Sequence, residues 1–511
     1  MRPARSRSAH AAVAAGSAAL LLLTSGCAAR FDRPSAAGGN QNLSSGDGLT
    51  PDQGGTAQGG GTGNPGTTIA GSGATTTGGT VAGTSGFAGS GTTGSVSGST
   101  SGTGGSTSGT TSGGRTSTSG GAVSGSGSSS SCASGPRGST TGVTDTAVKV
   151  GLFVPKTGAA PVPPTIDAQA QTYWDYVKAK VKGIYGRNVT VKVYDTKSTE
   201  QDARAAVQQG VADGIFVAVT LDRIAVEGAL VKALHDAGIP HLINQMPHAQ
   251  AIPADGYYIG TDQVNNGRQI ANYMLHTLKA KRVGFIGEND STAYPARDAF
   301  VAEAKRIGLQ VVHNEVVNGM DSQFLSEAQK AANDKADAMW LYVAPNNAIN
   351  ISKEAQADGF HPTWVSSSIA WGFNLALTPA QGALDGAKSF SPWGGLTDPR
   401  YATYLKENTE GRTSQDKDIG LPAWGYGQII GAAMMAAGPS LGRANFECAL
   451  QNLKTGSTDV VTGAPMCWPP LDFTGGKRYG SGDRTIVMSV QGSGATGSSQ
   501  WATESDYKSV Y

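Results

Sequence analysis

The sequence has little charge, few cysteines and no long apolar run beyond its first two dozen residues. Lys and Arg number 39 against 38 Asp and Glu, a formal net charge of +1. No Lys/Arg cluster follows the first few residues, which argues against nucleic acid as a partner. The four cysteines show no spacing suited to zinc, and the seven histidines form no HExxH-like pattern, so no metal and no cofactor are expected. No segment after the leader is apolar enough to span a membrane. Glycine is abundant, 73 residues, but so unevenly spread that the average composition describes no part of the chain. A length of 511 residues leaves room for two or three domains.

The first 27 residues read as an export signal. Arg2, Arg5 and Arg7 supply a basic start, and Ala11 to Leu23 an apolar run too short to cross comfortably. The following LTSGC resembles a bacterial lipobox, in which Cys27 would be lipidated and become the new N-terminus. Leu23 lies one residue too early for the commonest form of that motif, and Thr24 stands in its place. A lipid anchor at Cys27 would hold the protein to the outer face of a bacterial membrane without a spanning helix. From 28 to 143 the chain is nearly all Gly, Ser and Thr, as in STSGTTSGG. Such a stretch buries too little apolar surface to offset its ordering entropy, so a disordered tether is expected. A flexible coil of about 115 residues spans roughly 60 Å end to end.

The rest alternates strand and helix. VKVGLFV opens a β-rich run at Lys149, and Thr165 to Val181 places Ile166, Ala170, Tyr173, Trp174, Val177 and Val181 on one helical face. Strands are expected near 189–194, 215–219 and 241–244, with helices at 200–212 and 226–237 between them. Gly238 and Pro240 stop the last of these helices. After an irregular stretch at 257–262 the rhythm resumes through strands near 282–286, 311–316, 338–343 and 363–366. Asp321 is a plausible N-cap for a helix starting at Ser322. Apolar strands alternating with helices give parallel sheets covered on both faces. The fold expected is α/β, with two doubly wound parallel-sheet lobes and ligand at the carboxyl ends of the strands.

The ordered set VKVGLFVPKTG, the stretch from GRNVTVKVYDTKST to FVAV, RVGFIGENDSTAYPARDAF, LPAWGYGQIIGAAMMAAG and PLDFTGGKRYGSGDRTIVMSV resembles the type I periplasmic binding proteins of the branched-chain amino-acid (Leu/Ile/Val) class. That resemblance implies three crossovers, near 258–262, 389–393 and 471–474. Lobe one would comprise 144–261 and 390–472, and lobe two 262–389 and 473–511. It also implies a monomer that closes on a small-molecule ligand and docks on an ABC permease. In site terms it implies contacts from Thr220 and Arg223 after the third strand, Asn244 and Gln245 after the fourth, and Tyr294 in lobe two. Arg223 is either a reader of a charged ligand group or a solvated surface side chain, and Asp222 is a candidate helix cap. The chain departs from the amino-acid binders at SSSIAWGFN, which has no carboxylate to meet a ligand ammonium. Trp371 there offers a stacking surface instead, which leaves amides, aromatic acids and amino acids open as ligands.

An export signal implies an oxidising compartment, where Cys448 and Cys467 are expected to close a short loop. Cys132 is then left over, free or paired with one of the others. No catalytic residue is expected. GPSLG around Ser440 matches Gly-x-Ser-x-Gly, but it ends a helix and puts Pro439 before the serine, unlike a strand-to-helix nucleophile elbow. GLFVPKT places Pro155 where a phosphate loop needs glycine. The leading expectation is a solute-binding lipoprotein of an ABC importer. The alternative is a ligand sensor or cell-envelope interaction protein, which the long tether suggests.

Overall fold

The computed structural model describes residues 129–509 apart from 159–160, 245–251, 261, 290–292, 320, 368–371 and 482–483. The leader, Cys27 and most of the expected tether therefore lie outside the described residues, as do Gln245 and Trp371.

A first parallel sheet is built from β1 (Ala147–Val154), β2 (Asn188–Asp195), β3 (Val217–Thr220), β4 (His241–Ile243) and β5 (Gly256–Tyr258), in the order β2-β1-β3-β4-β5. β1 and β3 are buried along nearly their whole length, as expected of central parallel strands covered by helices on both faces. Those helices include α2 (Ile166–Val181), α3 (Glu200–Ala212) and α4 (Ile224–Asp236), after a short α1 (Ser129–Ala133). Thr199 caps α3 by accepting the Asp202 N–H at 3.1 Å, and Gly238 ends the run after α4 at a φ of 60°.

The second sheet repeats the plan. After α5 (Gln263–His276) come β6 (Arg282–Glu288), α6 (Ala293–Arg306), β7 (Gln310–Val317), α7 (Leu325–Asn333), β8 (Ala338–Tyr342), α8 (Pro345–Ala357), β9 (Thr363–Ser367), α9 (Leu377–Ala380) and β10 (Lys388–Ser391). The chain then adds α10 (Ala402–Glu407), α11 (Ser414–Ala437) and α12 (Arg443–Gln451). It returns with β11 (Arg484–Gln491) and β12 (Gln500–Ser509), so the full order is β12-β11-β10-β9-β8-β6-β7. β7-β6-β8-β9-β10 has the same strand order as the first sheet, and β11 and β12 join antiparallel. α11 packs on α2 in lobe one, where Trp424 meets Tyr173 edge-on at 5.3 Å and Tyr404 at 5.6 Å.

Several local expectations shift. α11 starts at Ser414, with Thr413 and Asp416 forming a capping box. Pro422 would suit a first turn but lies inside the helix. It has no N–H for the carbonyl of Asp418 four residues earlier, so the ladder lacks a bond there. Asp321 is not the cap of α7, whose N-cap residue is Phe324 with no side-chain cap. The third crossover also falls late: Tyr479 still bridges Tyr258, and Ser481 donates to the Gly260 carbonyl at 2.8 Å.

The folded part begins before residue 144, because α1 and the chain after it are bound to lobe one. Arg137 donates to the Leu441 carbonyl at 3.1 Å, and Val143 pairs with Val148. The disulfide is also different from the one expected. Cys132 bonds Cys448, with Cα atoms 5.6 Å apart, and Cys467 is buried and outside this disulfide. The segment after α12 folds back through a Thr458–Pro465 bridge, and the Cys467 N–H binds the Gln428 side chain of α11 at 2.9 Å. That takes Cys467 into the core while α12 turns Cys448 toward α1.

Peptide mapping without reductant should recover Cys132 linked to Cys448. Cys132→Ser should cost about 2–4 kcal/mol of stability, measured by denaturant unfolding. Cys467, whose thiol burial pushes well above its usual pKa, should resist maleimide until the chain unfolds. Recovery of a Cys448–Cys467 peptide would refute the pairing.

Candidate functional site

Parallel strands deliver all their carboxyl ends to one edge, and in each lobe the order reverses beside the first strand, leaving a crevice there. A cavity of about 730 Å³ occupies that edge between the lobes. Lobe one contributes Val154 and Pro155 after β1, Leu221 to Arg223 after β3, and Asn244 after β4. Lobe two contributes Glu288 at the end of β6, Gly319 after β7, and Tyr342 to Asn347 at the β8–α8 junction. Phe373, Leu375, Ile419 and Pro422 close an apolar side.

Two residues carry charge across the cleft. Arg223, the N-cap residue of α4, places its guanidinium 3.5 Å from the Glu288 carboxylate. The side chains are 13% and 10% exposed, so each charge depends on its partners rather than on water. Glu288 accepts the Ala344 N–H at 2.6 Å and the Asn347 amide at 2.8 Å, which fastens the start of α8 to the end of β6. Gly319 makes this possible, since a Cβ there would sit 2.7 Å from the same carboxylate. Asp222 is not a helix cap. It is 3% exposed, takes a hydrogen bond from the Thr196 hydroxyl, and accepts the Arg223 N–H at 2.6 Å. Burial raises its pKa, and those two donors pull the other way.

Arg223 and Asn244 are thus brought together in the cavity wall. Thr220 is one layer behind: it is fully buried, and its hydroxyl donates to Glu227. Its role is to hold α4 against β3. Tyr294 lies outside the lining. Its ring is 39% exposed, its hydroxyl donates to Asn289 at 2.8 Å, and the Arg297 guanidinium sits 4.9 Å from its centroid. Tyr294 therefore does not border the cavity in this arrangement of the lobes. Glu288 and Asn347 were missed from sequence, because a strand-terminal Glu and an Asn in a helix carry no motif. Lobe two does place a carboxylate in the cavity lining, that of Glu288 at the end of β6.

A further contact joins the lobes beside the apolar wall. Asp418 of α11 is 2% exposed and accepts the Asn374 backbone N–H at 2.5 Å, while the Asn374 side chain accepts the Trp501 N–H from β12 at 2.8 Å. Among the described residues, no group of three or more His, Cys, Asp or Glu is placed to hold a metal, and no helix is long and apolar enough to cross a membrane.

Two lobes with repeated strand order are joined by crossing connections and enclose a cavity between them. The chain belongs to the periplasmic binding protein family, whose model matches residues 147–470, and its fold is the type I form. A Leu/Ile/Val-binding protein homolog 3 of Brucella melitensis biotype 1 is 25% identical over 203 residues, 38% of this chain and 54% of that protein. The chain therefore spans about half the length of that relative. Among solved structures, a fatty acid ABC transporter substrate-binding protein from Thermomonospora curvata superposes with TM-score 0.60 at 17% identity, covering 73% of this chain and 95% of that one. LivJ from Streptococcus pneumoniae, in complex with isoleucine, gives 0.59 at 16%, covering 71% and 99%. A solute-binding protein from R. palustris in complex with 4-hydroxybenzoate gives 0.58 at 14%, covering 71% and 97%. Membership of this family indicates an extracytoplasmic location.

Burial pushes Asp418 up to about 7, against the lowering effect of the Asn374 N–H. A carboxyl whose folded pKa is raised binds its proton more tightly in the folded state, so stability falls as pH rises from about 4 to about 7. Asp418→Asn keeps an acceptor and removes the titration. Melting temperatures of the two proteins should therefore diverge across that window, with the unmutated chain losing relative stability. A difference that does not change with pH would rule this out.

Proposed function

We propose that this chain is an extracytoplasmic solute-binding lipoprotein. It captures a small molecule, an amino acid, amide or aromatic acid, between its two lobes and delivers it to an ABC importer. The observation that carries the reading is the cavity of about 730 Å³, within the usual range of roughly 300–1,000 Å³ for small-molecule sites. It is bounded by strand ends of both lobes and crossed by the Arg223–Glu288 pair. Ligand drives closure through contacts that exist only when both lobes reach it. Catalysis is not part of the proposal: Ser440 lies in the turn between α11 and α12, away from the cleft lining. Membrane attachment through a lipidated Cys27 and a monomeric state complete it, with the long Gly/Ser/Thr tether giving the clamp its reach.

The test is a thermal-shift and calorimetric screen of the mature chain against amino acids, amides, aromatic acids and fatty acids. A true ligand at a hundredfold excess over Kd should stabilise by about 2.7 kcal/mol. Silence across the whole panel would remove the transport reading in favour of an envelope interaction role. With a ligand in hand, Tyr294→Ala should change Kd by less than about twofold, since Tyr294 interacts with Asn289 and Arg297 at an exposed place outside the lining. A tenfold loss would return Tyr294 to the site.

A further inference from the structure

The buried charges that line the cleft have partners within the protein. Among the described lining residues Arg223 is the one cation, and it faces Glu288 at 3.5 Å. The other Glu288 oxygen is held by Ala344 and Asn347. Asp222 is buried on Thr196 and the Arg223 N–H, and Asp321 sits at the exposed rim. A ligand carboxylate would compete with two acids for a single cation. A ligand ammonium would meet a carboxylate that is already neutralised. Burying either charge without its own partner is costly.

Two amides in the same wall are each half used. Asn244 is 6% exposed; its backbone N–H goes to Glu227 at 3.2 Å and its Oδ1 accepts from Tyr426 at 3.3 Å. Its Nδ2 has no partner among the described residues. Asn347 is 5% exposed and gives Nδ2 to Glu288 and to the Gly319 carbonyl at 3.1 Å. Both of those partners are acceptors, so the amide orientation is set and Oδ1 is the atom left without a partner among the described residues. The cleft thus offers a donor on lobe one and an acceptor on lobe two, beside apolar walls.

We infer that, within the solute-binding role proposed above, the cleft takes an uncharged ligand with a carboxamide head on an aliphatic or aromatic body. The head carbonyl accepts from Asn244 Nδ2, and its N–H donates to Asn347 Oδ1. The two halves sit on different lobes, so a ligand that satisfies both is held best when the lobes are together, which is the condition for closure driven by ligand.

The test compares matched probes by calorimetry on the mature chain: benzamide, benzoate and phenylalanine, then 4-methylpentanamide, 4-methylpentanoate and leucine. In at least one series the amide should bind at least about tenfold tighter than the acid and the amino acid. Asn244→Leu should weaken amide binding about tenfold or more, with Asn347→Leu as the second variant if the first does not fold. An acid or amino acid that matches or beats its amide in both series overturns this inference and leaves the solute-binding role standing. So does silence in both series when the wider screen finds a charged ligand. Silence everywhere overturns both.

Discussion

A carboxylate at the end of a strand cannot be buried alone, and the cleft is arranged around meeting that constraint for Glu288. One of its oxygens takes the Ala344 N–H of the β8–α8 turn and the Asn347 amide, and the other faces Arg223 from the opposite lobe. Gly319 leaves the room it needs. The result joins β6, β7, α8 and α4 at one point. Breaking such a group costs more than its net contribution, because the partners are left desolvated and unpaired.

Around that point the two sheets do the positioning. Each runs in the same order about its first strand, so each presents a crevice at the same edge. The lobes meet there through the Arg223–Glu288 pair and the Asp418–Asn374 bond. Both contacts join residues distant in sequence, and both flank the cavity. A clamp of this kind can respond to a ligand only by differential contact, and the contacts between the lobes are where that difference arises.

Much of the fold was legible because its signals are local. Helix α3 falls on the expected residues 200–212, and the strands at 282–288, 310–317 and 363–367 differ from expectation by only a residue or two at their ends. Errors came where a local rule had two readings. Pro422 suits a first turn, yet α11 begins eight residues before it behind the Thr413 and Asp416 cap and carries it in its interior. β12 carries a mixed polar sequence, QWATESDYKS, and became a strand because β11 offered an open edge. Of the site, Arg223 and Asn244 were legible because they follow strands, whereas Tyr294, read by resemblance, sits outside the cavity. Glu288 and Asn347 needed the fold to bring them together.

What the sequence by itself determined is what short-range chemistry encodes: the alternation of β-rich runs with amphipathic helices. What only the tertiary structure decided are the pairings between distant positions. Cys132 bonds Cys448 across a sequence separation of 316. Arg223 meets Glu288, and Asp418 meets Asn374. No local pattern specifies a partner for a thiol, a charge or an amide. That choice is made when two sheets and the helices between them set which side chains lie within a few ångströms of each other.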